Sequence, residues 1–147
     1  MDSQARLLIV DDEEIIRIGC QRSLEESYST VETAENGRLG WERLQQQPFD
    51  LVLLDLMMPE MGGLEVLEKV QALDPEIVVI MITGFATIET AVDAMRKGAY
   101  DYLPKPFTPE ELRTKVSRGL EKRRLILQAR ALILERDRNL LECANEK

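Results

Sequence analysis

Leu51-Val52-Leu53-Leu54-Asp55-Leu56-Met57-Met58-Pro59-Glu60-Met61-Gly62-Gly63 is the stretch that decides the fold. Its first four residues are apolar without alternation, the mark of a strand covered on both faces, and an acid then opens a turn rich in Pro and Gly. Working outward, apolar runs at residues 7–10 and 77–82 repeat the pattern, and weaker ones lie at 29–34 and 99–103. Amphipathic segments of helical length separate them, at 14–26, 37–46, 64–73 and 87–97. In the last of these Ile88, Ala91, Val92 and Met95 share one face at helical spacing. Strand then helix, five times over, predicts an α/β fold with a doubly wound parallel sheet, because parallel neighbours need long crossovers. The 147 residues suit one domain with a small appendage.

Composition narrows the chemistry. The chain has no His, which removes Ser-His-Asp and Cys-His triads, His-based zinc sites and a phosphohistidine relay within it. Its two cysteines, Cys20 and Cys143, lie far apart and the first ten residues are too polar for a signal peptide, so a cytoplasmic location is expected. The longest apolar run, 77–82, is far below the roughly 20 residues of a membrane span. Net charge is −8, unevenly spread: residues 1–107 hold 20 acids and 9 bases (net −11), and 108–147 hold 7 and 10 (net +3). The acidic body argues against direct nucleic-acid binding.

Ligands of an open parallel sheet bind beyond the carboxyl ends of its strands. There stand Asp11-Asp12 after strand one, Asp55 after strand three, Thr83-Gly84 after strand four and Lys105 between two prolines after strand five. Any one alone reads as a turn residue, a helix cap or a solvated charge. Together they place three carboxylates, a hydroxyl and an ammonium on one rim. Carboxylates so close repel unless a cation neutralises them, and an oxygen-only donor set suits Mg²⁺ or Mn²⁺ rather than Zn²⁺. The remaining partner is a phosphoryl group: Asp55 acts as nucleophile, and the cation, Lys105 and Thr83 stabilise the equatorial oxygens.

Val10-Asp11-Asp12-Glu13, Leu53-Leu54-Asp55-Leu56-Met57-Met58-Pro59, Ile82-Thr83-Gly84 and Tyr102-Leu103-Pro104-Lys105-Pro106-Phe107 resemble, in order and spacing, the receiver domains of bacterial two-component response regulators. Residues 83–92 and 98–107 resemble most the NtrC and DctD type, which precedes a sigma-54-activating ATPase. The resemblance implies a flavodoxin-like fold with strand order 2-1-3-4-5 and Asp55 as phosphoacceptor. It also implies Mg²⁺ ligands from Asp12, Asp55 and the Met57 backbone carbonyl, with Asp11 in the outer shell. Lys105 would pair with the phosphoryl group, ahead of a cis Lys105-Pro106 bond, and Thr83 and Tyr102 would form a switch pair that reshapes the face of helix four, strand five and helix five. The partner implied is a sensor histidine kinase as phosphodonor, and the role that of a signalling domain rather than a classical enzyme. Met57 and Phe85 occupy family positions that flank the path of hydrolytic water; both are apolar here, which predicts a long-lived phosphoprotein. A haloacid dehalogenase-like phosphohydrolase needs an Asp where Met57 stands, and a flavodoxin would have its flavin phosphate repelled by Asp11-Asp12-Glu13-Glu14.

Thr108-Pro109-Glu110-Glu111 is a capping box that starts a helix predicted to run to about Leu141. Leu120, Leu127, Leu134 and Leu141 recur every seven residues, with Arg124, Ala131 and Arg138 at the complementary seam positions. The expected organisation is a receiver domain at 1–120 and a helical linker at 121–147, read as a coiled coil that dimerises weakly or switchably. No Walker A pattern occurs, so the output domain is expected to lie outside this chain. Trp41 is expected in the core beside Leu44.

Overall fold

The computed structural model describes residues 4–84 and 88–145. Five parallel strands alternate with five helices: β1 Arg6–Val10, α1 Glu14–Glu25, β2 Thr30–Ala34, α2 Gly37–Gln46, β3 Leu51–Asp55, α3 Gly63–Leu73, β4 Val78–Thr83, α4 Ile88–Arg96, β5 Asp101–Pro104 and α5 Pro109–Asn145. The sheet order is β2-β1-β3-β4-β5, as the family resemblance implies. The unbroken apolar runs have the predicted cause. Leu7–Val10, Leu51–Leu54 and Val79–Ile82 are fully buried, with successive side chains on opposite faces of the sheet. One face carries Leu8, Val10, Val52, Leu54, Val79 and Met81 against α2, α3 and α4. The other carries Leu7, Ile9, Leu51, Leu53, Ile80 and Ile82 against α1 and α5.

Local sequence sets the ends of the helices. Asn36 caps α2 by accepting from Leu39 N–H at 2.8 Å. At the start of α5 the Thr108 hydroxyl accepts from Glu111 N–H at 3.1 Å, while the Glu111 carboxylate accepts from Thr108 N–H at 3.4 Å, the reciprocal bonds of a capping box. Its 37 residues make α5 about 55 Å long. Gly119 does not break it. A Cβ there would stand 2.9 Å from Leu51 Cδ1 and 3.0 Å from Val78 Cγ1, so the glycine lets the helix lie close on the sheet.

Two sequence expectations change, for Trp41 and Leu120, and the apolar face of α4 is left open. Trp41 is only half-buried, at the margin of the core, with the Lys69 ammonium 5.5 Å from its ring centre. The apolar face of α4 does not pack inward: Ile88, Val92 and Met95 are exposed, and Ala94 alone of that helix is buried. Leu120, expected in the heptad seam, is 6 % exposed and belongs to the receiver core with Leu112 and Val116. Its place in the seven-residue series coincides with the last turn that the sheet can cover. The chain between β4 and α4 includes Phe85 and the predicted helix start at Thr87, both outside the described residues.

Gly63 fixes the approach of α3 to the end of β3. A Cβ at this position would lie 2.3 Å from the Asp55 carbonyl oxygen and 2.8 Å from Leu56 Cα, both backbone atoms that cannot swing away. Gly63→Ala is therefore expected to cost about 1–3 kcal/mol in urea unfolding. An unchanged midpoint would show that the approach is not a constraint.

Candidate functional site

Asp11 is held from several sides before any ligand arrives. Its N–H donates to the Ala34 carbonyl at 3.2 Å, its carbonyl accepts from Arg17 Nη1 at 2.8 Å, and its Oδ1 accepts from Glu13 N–H at 2.8 Å. The side chain is fully buried. Its second oxygen, Oδ2, faces Lys105 Nζ at 3.1 Å. That ammonium also lies 2.7 Å from Glu13 Oε1 and 3.7 Å from Asp55 Oδ2. Lys105 is placed by its own N–H, which donates to the Thr83 carbonyl at 2.9 Å, and it precedes the cis Lys105-Pro106 bond that the resemblance implied.

Asp55 closes β3. It is 2 % exposed, and its Oδ1 accepts from Met57 N–H at 3.4 Å. Asp12, by contrast, is exposed, and one carboxylate oxygen from each of Asp11, Asp12 and Asp55 lies within 4.8 Å of the others. Burial pushes the Asp55 carboxyl up to about 7, the Asp11 charge adds to the rise, and Lys105 opposes it. Burial would lower Lys105, but its hydrogen bond to Glu13 and the charges of Asp11 and Asp55 carry it above its usual range. The ammonium therefore stays charged, while the carboxylates remain in excess over it. An oxygen-only donor set with excess negative charge, one member exposed to entering ions, fits a hard divalent cation such as Mg²⁺.

The sequence-predicted residues fall into two groups. Asp11, Asp12, Asp55 and Lys105 are brought together. Thr83 is buried at the adjacent end of β4, and Met57 stands at the rim with 58 % of its surface exposed. Tyr102 turns elsewhere: its half-buried ring packs with the α2–α3–α4 cluster, and its hydroxyl is shielded from solvent beside Thr90 of α4. Sequence reading missed Glu13 as a partner of Lys105 and Arg17 as a brace for Asp11. Glu13 sits in an acidic run in which nothing marks one member as the lysine's neighbour. Arg17, one turn into α1, carries only its helical spacing.

A profile of the response regulator receiver domain matches residues 7–117. The chain belongs to the response regulator receiver family. It is 40 % identical over 131 residues to the alginate biosynthesis transcriptional regulatory protein AlgB of Pseudomonas putida, covering 89 % of this chain and 29 % of that protein. It is 34 % identical over 146 residues to the C4-dicarboxylate transport transcriptional regulatory protein DctD of Rhizobium meliloti, covering 99 % and 31 %. The receiver therefore resembles the NtrC/DctD type, and it spans about three tenths of the length of these curated relatives. Among solved structures, NtrX of Brucella abortus in complex with ADP superposes with a TM-score of 0.82 at 34 % identity over 88 % of this chain and 30 % of that one. A CheY-like receiver domain protein of Methanospirillum hungatei gives 0.79 at 36 % identity, over 83 % and 98 %. Among the described residues no helix is long and apolar enough to cross a membrane.

The raised Asp55 carboxyl has a thermodynamic consequence. With no metal bound, the folded receiver holds a proton there that the unfolded chain releases near its ordinary value of 3.8, so stability falls as pH rises from about 4 to about 7. Asp55→Asn should remove that part of the decline, leaving the variant more stable than the parent at pH 8 by about 4 kcal/mol in chelator. Added Mg²⁺ should raise the melting temperature of the parent and leave the variant nearly unmoved. Parallel pH profiles for the two proteins would contradict this account.

Proposed function

We propose that this receiver accepts a phosphoryl group from a sensor histidine kinase onto Asp55 in a Mg²⁺-dependent reaction, and that the modification switches a dimeric output in a transcription regulator of the sigma-54 activator type. The observation that carries the reading is the convergence of Asp11, Asp12 and Asp55 within 4.8 Å, with Lys105 Nζ 3.7 Å from the acceptor carboxylate. In the transfer, an Asp55 oxygen attacks phosphorus as the bond from phosphorus to the donor imidazole nitrogen breaks, giving an aspartyl phosphate and neutral histidine. Asp12, Asp55 and the Met57 carbonyl would hold the cation, with Asp11 in the outer shell. Mg²⁺ bound there supplies charge neutralisation for an approaching phosphoryl anion.

The chain's own residues perform the remaining work. Lys105 exchanges part of its contact with Glu13 and Asp11 for a phosphoryl oxygen, and Thr83 presents its hydroxyl to another. The same residues assist the later loss of the group to water. Burial of Asp55 excludes bulk water from the acyl phosphate, and Met57 at the rim offers nothing to orient an attacking water. Thr83 and Tyr102 act as the switch pair. A hydroxyl drawn toward the phosphoryl group frees space at the end of β4, and the Tyr102 ring, packed beside Thr90, is placed to follow it. The exposed Ile88, Val92 and Met95 of α4 lie on the face that this movement reshapes.

The tail supports the dimeric part of the proposal. In this reading residues 1–120 are the receiver and 121–147 the linker, helical through Asn145, whose Leu134 and Leu141 expose 63 % and 67 % of their surface beside exposed Leu132, Ile133 and Leu140. A second copy of the helix would cover them at roughly 25 cal/mol per Å². With Leu120 in the core the seam is short, which keeps the association weak enough for a coupling of about 1–3 kcal/mol to shift it.

Intact mass after incubation with acetyl phosphate and Mg²⁺ should show one added phosphate, lost in Asp55→Asn and in chelator; uptake by the variant would overturn the assignment. Met57→Asn should shorten the lifetime of the phosphoprotein by less than the roughly 100-fold at the low end of general acid–base catalysis, since an amide orients water without taking its proton, and an unchanged lifetime would count against the shielding role. Sedimentation should show the association of the full chain changing with beryllium fluoride and disappearing when Leu134 and Leu141 are replaced by Arg. Monomeric behaviour under every condition would remove the dimer from the account.

A further inference from the structure

The face of α5 that packs on the sheet does not stop where its apolar residues stop. Leu112, Val116 and Leu120 are buried, and at the same helical spacing the stripe continues through Arg123, Leu127 and Arg130. The two arginines reach the end of the sheet opposite the phosphoacceptor. Arg123 Nε donates to Asp50 Oδ1 at 2.7 Å and its Nη1 donates to the Glu76 carbonyl at 2.7 Å, while Arg130 Nη1 pairs with the Glu76 carboxylate. The Arg123 side chain is only 14 % exposed. A guanidinium so shielded is tolerated when it is paired and hydrogen-bonded, and here a carboxylate and a carbonyl each accept one of its N–H donors.

Both anchors lead into strands that carry the candidate site. Asp50 precedes β3, which ends in Asp55, and Glu76 precedes β4, which ends in Thr83. Asp50 is itself fixed, its Oδ2 accepting from Arg6 N–H at 2.8 Å and its carbonyl from Val78 N–H at 3.1 Å. Next to Arg123, the Lys122 ammonium lies 4.9 Å from the Tyr100 ring centre. Arg124, one residue further round the helix, pairs only along it, with Glu121. Beyond Arg130 no ion pair or hydrogen bond to the body is seen among the described residues.

We propose that Arg123, Arg130, Asp50 and Glu76 form a clamp that fixes the direction in which α5 leaves the receiver. The segment 121–130 is then a rigid continuation of the body, and the freedom to bend or to find a partner begins after Arg130. The tail is a lever referenced to the residues just before β3 and β4, not a flexible tether attached at residue 120. This holds whether or not the tail dimerises and whether or not Asp55 is phosphorylated.

The test is a distance between spin labels placed by Ala72→Cys on α3 and Ala131→Cys on α5, both exposed positions, in the full chain with Cys143→Ser. Cys20 is no competitor for the label, because burial pushes its thiol up to about 12. Dilution into excess unlabelled chain leaves only distances within one molecule. One narrow distance is expected with the clamp intact, and loss of that single distance in Arg123→Gln/Arg130→Gln. Arg130→Gln alone, at a position 60 % exposed and unable to unfold the body, should broaden it partially. Arg124→Gln should leave it narrow. The proposal is overturned if both clamp variants keep the parent distance, or if Arg124→Gln broadens it as much as they do.

Discussion

Two carboxylates, Asp11 and Asp55, are buried at one end of a parallel sheet with a single lysine between them, and the rest of the receiver is arranged around keeping them there. Such a cluster is unfavourable on its own terms: low-dielectric burial strengthens the repulsion, and one ammonium leaves negative charge in excess. The fold holds it by leaving few degrees of freedom to each member. Asp11 is braced by Arg17, Glu13 N–H and Ala34, Asp55 ends a fully buried strand, and Lys105 is fixed by its backbone bond to Thr83. The repulsion is met in part by a proton on Asp55, whose carboxyl is pushed up to about 7, and is fully felt only once that proton leaves. In the proposed reaction a divalent cation would relieve it, and a phosphoryl group would be drawn to what the cation and lysine leave unsatisfied.

Much of this was legible in the sequence because parallel sheets write their topology plainly. Runs such as Leu51–Leu54 are apolar on both faces only when helices cover both, and the residues that follow them stand on one rim by the geometry of the sheet alone. Asp11, Asp12, Asp55, Thr83 and Lys105 could be gathered from separate places in the chain for that reason. The capping box at Thr108 was equally readable, since its chemistry lies within four residues.

What stayed hidden depends on side-chain reach across elements distant in sequence. Glu13 meets Lys105 from 92 residues away, and Arg123 meets Asp50 from 73. Periodicity reports which residues share a face, but not what lies opposite. For that reason the shared face of Ile88, Val92 and Met95 on α4 could be read but not its exposure, and Leu120 read as part of a zipper and is core. The heptad and the core-facing stripe of α5 overlap at Leu120, and only the length of the sheet decides which one claims it.

The central claim is that the carboxylate cluster is frustrated until a cation binds. Calorimetric titration of Mg²⁺ into the full chain at pH 7, in buffers of different ionisation enthalpy, tests it most directly, because an Asp55 that titrates near 7 must give up its proton when the metal arrives. The account predicts buffer-dependent heats corresponding to release of about half a proton per ion, absent in Asp55→Asn. Binding with no proton released, or no binding, would contradict it.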